Sequence, residues 1–149
     1  MDDFRRNIDL RLDADGRWFH DGQPFTHAGL IALFNRGIDV HPETGEPILR
    51  VAAQWAYIRC DDVPFLVRSV RVVGERLRVV LNTEAEVDCA PDAVRAGPAG
   101  VLYVELGTHR RARFGRAAQA SLADCLEESA AEGVVLHVGH VRAPVRPLT

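Results

Sequence analysis

Residues 65–82, FLVRSVRVVGERLRVVLN, hold two valine-rich runs on either side of Gly74-Glu75. β-Branched side chains crowd a helical turn but stand well on a pleated surface, so runs this rich in valine read as strands. A glycine at the first central position of a two-residue link supplies the positive φ of a type II′ turn, whose twist matches that of the strands it joins. The stretch therefore predicts an antiparallel hairpin with strands at 65–73 and 76–82.

Immediately upstream, DDVP (61–64) breaks the β pattern, because Pro64 cannot donate to a ladder and acids are depleted in strands. A junction is expected there, dividing the chain into lobes of residues 1–60 and 61–149. In the first lobe, IDLRLDADGRWFHDGQPF (8–25) alternates Ile8, Leu10 and Leu12 with Asp9, Arg11 and Asp13. It turns at Asp15-Gly16, resumes with Trp18 and Phe19, and turns again at Asp21-Gly22, which reads as a hairpin with one apolar face. Thr26 is a good N-cap, Phe25 can staple onto Leu30, and Gly37 can close a left-handed cap, so a helix is predicted over 27–36. Its centre, Leu30 to Phe34, is apolar nearly all round, which predicts burial on more than one side or an interface, including one with a second copy. A turn at Thr44-Gly45 leads to strands at 48–51 and 55–60.

Downstream of the hairpin, CAPDAVRAGPAG (89–100) reads as a loop and Val101 to Leu106 as a strand. THRRARFGRAA (108–118) then places Arg110, Arg111, Arg113 and Arg116 at what reads as the start of a helix. From Gly115 onward Ala118, Leu122, Cys125, Leu126 and Ser129 recur at helical spacing, predicting an amphipathic helix of about four turns that Gly133 ends. VVLHVGHV (134–141) is a final strand and RAPVRPLT (142–149) a proline-bearing tail. The expected class is α+β: two small lobes of antiparallel sheet, each with a helix.

The composition, 47% hydrophobic and 26% charged over 149 residues, is that of an ordinary globular chain. Such a length buries roughly two thirds of its unfolded surface in one core or two small ones. The opening MDDFRRNIDL sets acids ahead of any apolar run, without a small-residue cleavage pattern, and no apolar stretch nears the roughly 18 residues that span a bilayer. No membrane span and a cytoplasmic location are expected. Cys60, Cys89 and Cys125 are odd in number, far apart and form no C-x-x-C pair, which fits a reducing compartment better than a disulfide framework or a zinc site. All 18 basic residues are arginine. Without lysine the chain has neither a P-loop lysine nor a Schiff-base lysine, which excludes phosphate-loop nucleotide hydrolysis and pyridoxal chemistry.

Other chemistry is equally hard to place. Ser69, Ser121 and Ser129 sit in VRSVR, QASLA and EESAA, none of which resembles a nucleophile elbow. Cys60 beside Asp61 and Asp62 would have its thiolate disfavoured by two like charges, so it reads as a small core residue. The six histidines share no ligand spacing, and His137 and His140 point to opposite faces of a predicted strand. Asp61 and Asp62 diverge on an extended chain, unlike the paired carboxylates of glycosidases, and fit a junction cap or an ion pair. No catalytic residue, metal or cofactor is assigned. The arginine run is the strongest local signal, since guanidiniums at a helix start add to its positive end, and Asp124, Glu127, Glu128 and Glu132 would crowd the opposite end against the dipole. The arginines then either pair with acids of the first half or meet an anionic ligand. One short patch on a chain of net charge -3 argues against extended duplex nucleic acid.

Taken together, IDLRLDADGRWFHDGQPFTHAGLIALF, QWAYIRCDDVPFLV and a hairpin ending in LNTEAEVD resemble the bacterial domain-of-unknown-function family 1285, DUF1285, from about Ile8 to Leu126. Trp18, Gly22, Pro24, Leu33, Phe34, Trp55, Ile58, Asp62, Pro64, Phe65 and Asn82 match its pattern. HRRARFGRAAQASL resembles its arginine-containing lead into the last helix. The resemblance implies a two-part α+β protein with a related motif in each half, the second superficially like a pleckstrin-homology fold. It also implies a ligand site between the parts and a signalling role without established catalysis. Two features depart from the family: Gln54 stands where a basic residue is expected, and VVLHVGHV replaces a glycine- and serine-richer ending.

The ligand-facing candidates are Arg110, Arg116, Trp18, Trp55, Asp62 and Asn82. They suit a non-catalytic module for a small anionic ligand or a protein partner. The alternative is an enzyme using carboxylate or histidine chemistry on a small phosphorylated substrate.

Overall fold

The computed structural model describes residues 3–149; Met1 and Asp2, the start of the opening read above for a leader, lie outside the described residues. A five-residue helix, α1 (Asp3–Asn7), comes first and was not expected from the sequence. The alternation that follows folds as its period of two dictates. β1 (Leu10–Leu12) pairs antiparallel with β2 (Trp18–His20), burying Leu10, Leu12 and Trp18, and β3 (Gln23–Pro24) adds to β2.

The helix α2 (Ala28–Arg36) is capped by His27 rather than Thr26: the His27 Nδ1 accepts the Leu30 N–H at 3.1 Å. The cap lies one residue later, and Phe25 packs against Trp18 and Phe34, ring centroids 6.4 and 5.2 Å away. Gly37 does follow the helix, but with a right-handed φ of −88°. Close approach is the reason for a glycine there, since a Cβ would lie 2.2 Å from the Arg50 carbonyl oxygen. Nor is the helix buried all round: Leu30 and Leu33 are 38% and 41% exposed.

β4 (Ile38–Val40), a strand not expected, forms an antiparallel sheet with β5 (Pro47–Val51) and β6 (Gln54–Tyr57). The strand expected at 55–60 divides at Ile58. Its second part, β7 (Arg59–Cys60), leaves that sheet and pairs parallel with β1, giving the order β3-β2-β1-β7.

The valine-rich hairpin is present as β8 (Phe65–Val73) and β9 (Arg76–Leu81), with Gly74 at φ 62° and a bulge between Val67 and Ser69. β10 (Glu86–Cys89) lies beyond β9. The segment 89–100 is more than a loop: two 3₁₀ turns, Pro91–Ala93 and Pro98–Gly100, flank β11 (Val94–Ala96). β12 (Leu102–Gly107) follows.

The largest departures lie beyond this point. Arg110, Arg111 and Arg113 belong to a strand, β13 (Arg110–Phe114), hairpinned onto β12, and not to the start of a helix. The four-turn helix is replaced by a short α3 (Arg116–Ser121), a 3₁₀ turn (Ala123–Cys125) and β14 (Leu126–Ser129). Two physical reasons agree. The valines at 134, 135 and 138 form β15 (Gly133–Val138), which needs a partner strand, and β14 supplies it with Leu126 opposite Leu136 and Ser129 opposite Gly133. Acids at the negative end of a helix oppose its dipole, and here Asp124, Glu127 and Glu128 sit in the 3₁₀ turn and on an edge strand instead.

The strand expected over 134–141 folds back at Gly139-His140 into β16 (Val141–Pro144), and residues beyond it contribute β17 (Arg146–Pro147). The seven-stranded sheet runs β10-β9-β8-β13-β12-β11-β17. Among the described residues three pairings are parallel rather than antiparallel: β1 with β7, β8 with β13, and β11 with β17.

Strands in separate sheets with three short α-helices among the described residues make the chain α+β. Leu12, Trp18 and Leu49 share one hydrophobic cluster with Phe65, Val79, Phe114 and Leu136, so residues on both sides of 60–61 build one core.

Candidate cleft between the first turn and the last helix

Strand geometry distributes the arginines of β13. Ala112 and Phe114 point into the core, and Arg111 and Arg113 point out. The Arg111 Nε donates to the cross-strand Glu105 Oε1 at 2.7 Å. Arg113 Nη1 donates to Asp62 Oδ2 at 3.1 Å, and the Tyr103 hydroxyl donates to the same oxygen at 2.6 Å. Burial, followed by that bond to a carboxylate, raises the Tyr103 phenol above its usual range. Arg110 forms an ion pair with Asp39 and lies 5.5 Å over the Phe65 ring. Burial pushes the Asp39 carboxyl up, but the Val40 N–H and the Arg110 and Arg50 guanidiniums together outweigh it and leave it below its usual value.

Arg116, the first residue of α3, has no hydrogen-bond or ion-pair partner among the described residues. It lines a cleft of about 1040 Å³ with Arg113, Leu66 and Phe114 on one side and Asp15 and Arg17 on the other. The two sides meet closely, a Cβ on Gly16 falling 3.1 Å from Leu66 Cδ2. Arg17 is held by Asp13 at 2.9 Å and by Asp15 at 3.3 Å. Gln119, also in the wall, donates to the Gly100 carbonyl at 2.8 Å and accepts the Leu102 N–H at 2.9 Å. Arg110 faces a separate cleft of about 460 Å³ beside Asp39 and Thr83.

The sequence candidates therefore do not converge. Trp18 is 2% exposed, its indole N–H donating to Asn35 Oδ1 at 2.7 Å. Asn82, 3% exposed, accepts the Leu66 N–H at 3.0 Å and donates to the Pro64 carbonyl at 3.1 Å, tying the hairpin to the junction. Trp55 lies against Arg5 of α1, and Asp62 holds Tyr103 and Arg113. The neighbouring Asp61 pairs with Arg11. Arg17 was missed, although its place after the Asp15-Gly16 turn sets it at the rim of the cleft. Among the described residues no group of three or more His, Cys, Asp or Glu could hold a metal ion, and no helix is long and apolar enough to cross a membrane.

The chain matches no family model and no curated protein. Its fold has solved counterparts. A DUF1285 family protein from Silicibacter pomeroyi DSS-3 superposes with a TM-score of 0.69 at 22% identity, over 95% of this chain and 81% of that one. The fold is that of DUF1285 proteins. A second, from Shewanella baltica OS155, superposes with a TM-score of 0.59 at 16% identity, over 79% of this chain and 92% of that one. The DUF1285 fold agrees with the family resemblance read from Trp18, Trp55, Asp62 and Asn82.

Proposed function

We propose that the chain is a DUF1285 family member and a non-catalytic module that takes a small anionic ligand in the cleft between the Asp15–Arg17 turn and α3, as part of signal transduction. A pleckstrin-homology-like second lobe belongs to the same proposal. The observation that carries it is Arg116: a guanidinium without a carboxylate partner among the described residues, facing a cleft in which Arg113 and Arg17 are already neutralised. An anion needs donors not engaged elsewhere, and a planar guanidinium suits the paired oxygens of phosphate or carboxylate.

A thermal-shift screen of nucleotides, phosphorylated metabolites and inorganic phosphate tests this. A ligand at a hundred times its dissociation constant adds about 2.7 kcal/mol of stability. A hit abolished by Arg116→Gln but kept by Arg110→Gln is expected; no hit, or one indifferent to Arg116→Gln, overturns the reading. A homo-oligomer through α2 is a separate proposal, supported by the exposed Leu30 and Leu33 and tested by light scattering on Leu33→Gln.

A further inference from the structure

α1 brings two arginines onto an aromatic surface on the far side of the first lobe. Trp55 and Tyr57 stand two residues apart on β6, hence on one face. Their rings are 5.2 Å apart between centroids at 74°, and His41 lies stacked on Tyr57 at 6.1 Å and against Trp55 at 5.3 Å. The His41 ring is itself fixed, its Nδ1 accepting the Glu43 N–H at 3.2 Å. The Arg5 guanidinium sits 4.0 Å from the Trp55 ring centroid and donates to the Trp55 carbonyl at 2.6 Å. The Arg6 guanidinium sits 3.9 Å over Tyr57 and grips Glu46 with both terminal nitrogens, at 3.1 and 2.9 Å. That grip, the largest influence on the Glu46 carboxyl, holds it below its usual range.

Each guanidinium thus meets an aromatic face together with a hydrogen-bond acceptor, the arrangement by which proteins recognise organic cations. Beside Arg6 opens a cleft of about 470 Å³ that holds Glu46 and Asp9. The buried Asp9 Oδ1 there makes no hydrogen bond among the described residues and stands 3.1 Å from the Arg59 guanidinium. What occupies the site is weakly tethered. Five residues cannot sustain a helix in water by themselves, and Phe4 of α1 is 52% exposed.

We propose that Trp55, Tyr57, His41 and Glu46 form a recognition site for an arginine-bearing peptide segment, which the chain's own Arg5 and Arg6 occupy in cis. A segment in trans with an aromatic residue ahead of paired arginines matches the occupant already there. It competes with α1, so its apparent affinity is the intrinsic one multiplied by the fraction of molecules in which α1 is lifted.

The test uses the full chain and a synthetic acetylated peptide, Phe-Arg-Arg-Asn, with Trp55 fluorescence as the readout and Trp55→Phe as the control. The Arg5→Gln/Arg6→Gln chain is expected to bind the peptide on the order of tenfold more tightly than the unaltered chain. Adding Glu46→Gln should remove that gain, and a Phe-Lys-Lys-Asn peptide should bind more weakly, lacking the planar fork. Equal binding by both chains, or none by a doubly substituted chain that keeps its circular dichroism and melting temperature, overturns the proposal. Should that chain unfold, the unaltered chain decides: a saturable change lost in Trp55→Phe supports the site, and no change at any peptide concentration overturns it.

Discussion

Asn82 ties the end of β9 to both Pro64 and Leu66 through one side chain. Asn82→Ala leaves the Leu66 N–H and the Pro64 carbonyl without their partner, and a buried orphan of this kind costs about 1–3 kcal/mol. Urea denaturation should show a loss in that range; a change within error would mean that water replaces the amide. Gly37→Ala should destabilise by roughly 1–3 kcal/mol as well, because the added methyl meets the Arg50 carbonyl, a backbone atom that cannot swing aside. Burial first, then Asp61 and Asp62, push the Cys60 thiol up to about 12. At pH 8 it should therefore react with Ellman's reagent far more slowly in the folded than in the unfolded chain. Equal rates would contradict its placement. Residue types that stand out in the sequence, the tryptophans and Asn82, were legible as special, but what makes them so was not. Trp18 depends on Asn35 and Asn82 on Pro64, partners fixed only by how the elements meet. Arginine is harder still, since within one short run Arg110 pairs with Asp39, Arg113 with Asp62, and Arg116 with no acid among the described residues.

At the scale of the element, period two was read correctly at the turns of Asp15-Gly16 and Gly74, but was carried through Gly139-His140, where the chain in fact folds back. Gly74→Ala should cost about 1–2 kcal/mol, the penalty for a side chain at positive φ, and a proton spectrum that keeps the cross-strand contact of Val73 with Arg76 would show the hairpin itself intact. The stretch from Gly115 to Ser129 was misread because its apolar spacing suits a helix while its neighbour's valines demand a strand partner. Local periodicity carries no information about that demand. The same blindness hid the cleft, whose near wall exists because β13 is a strand and α3 begins only after it.

On the scale of the whole molecule, the division at 60–61 is proposed as two lobes on a shared core. Residues 61–149 expressed alone should be less stable than the full chain and melt without a sharp transition, since Trp18, Leu12 and Leu49 would be gone from the cluster. A fragment as stable as the whole would refute the sharing. Across the same interface Asp39 faces Arg110. A carboxyl held below its unfolded value binds fewer protons in the native state, so its contribution is present above that value and lost as pH falls through the folded one. Stability should therefore decline below about pH 4, and less steeply in Asp39→Asn, as measured by denaturation between pH 3 and 6.

The parallel pairings carry a kinetic consequence. Arg11 aligns with Arg59 and Arg95 with Arg146, so neither sheet is complete until distant stretches of chain have found each other. Closing long loops before any contact rewards them slows the search, and topologies of this kind refold in roughly milliseconds to seconds rather than microseconds. On the ribosome β11 must wait until Arg146 and Pro147 have been made before its outer edge is covered. Until then that edge is open to other nascent chains, and Pro147, which has no N–H to offer, is suited to end the sheet there once it arrives.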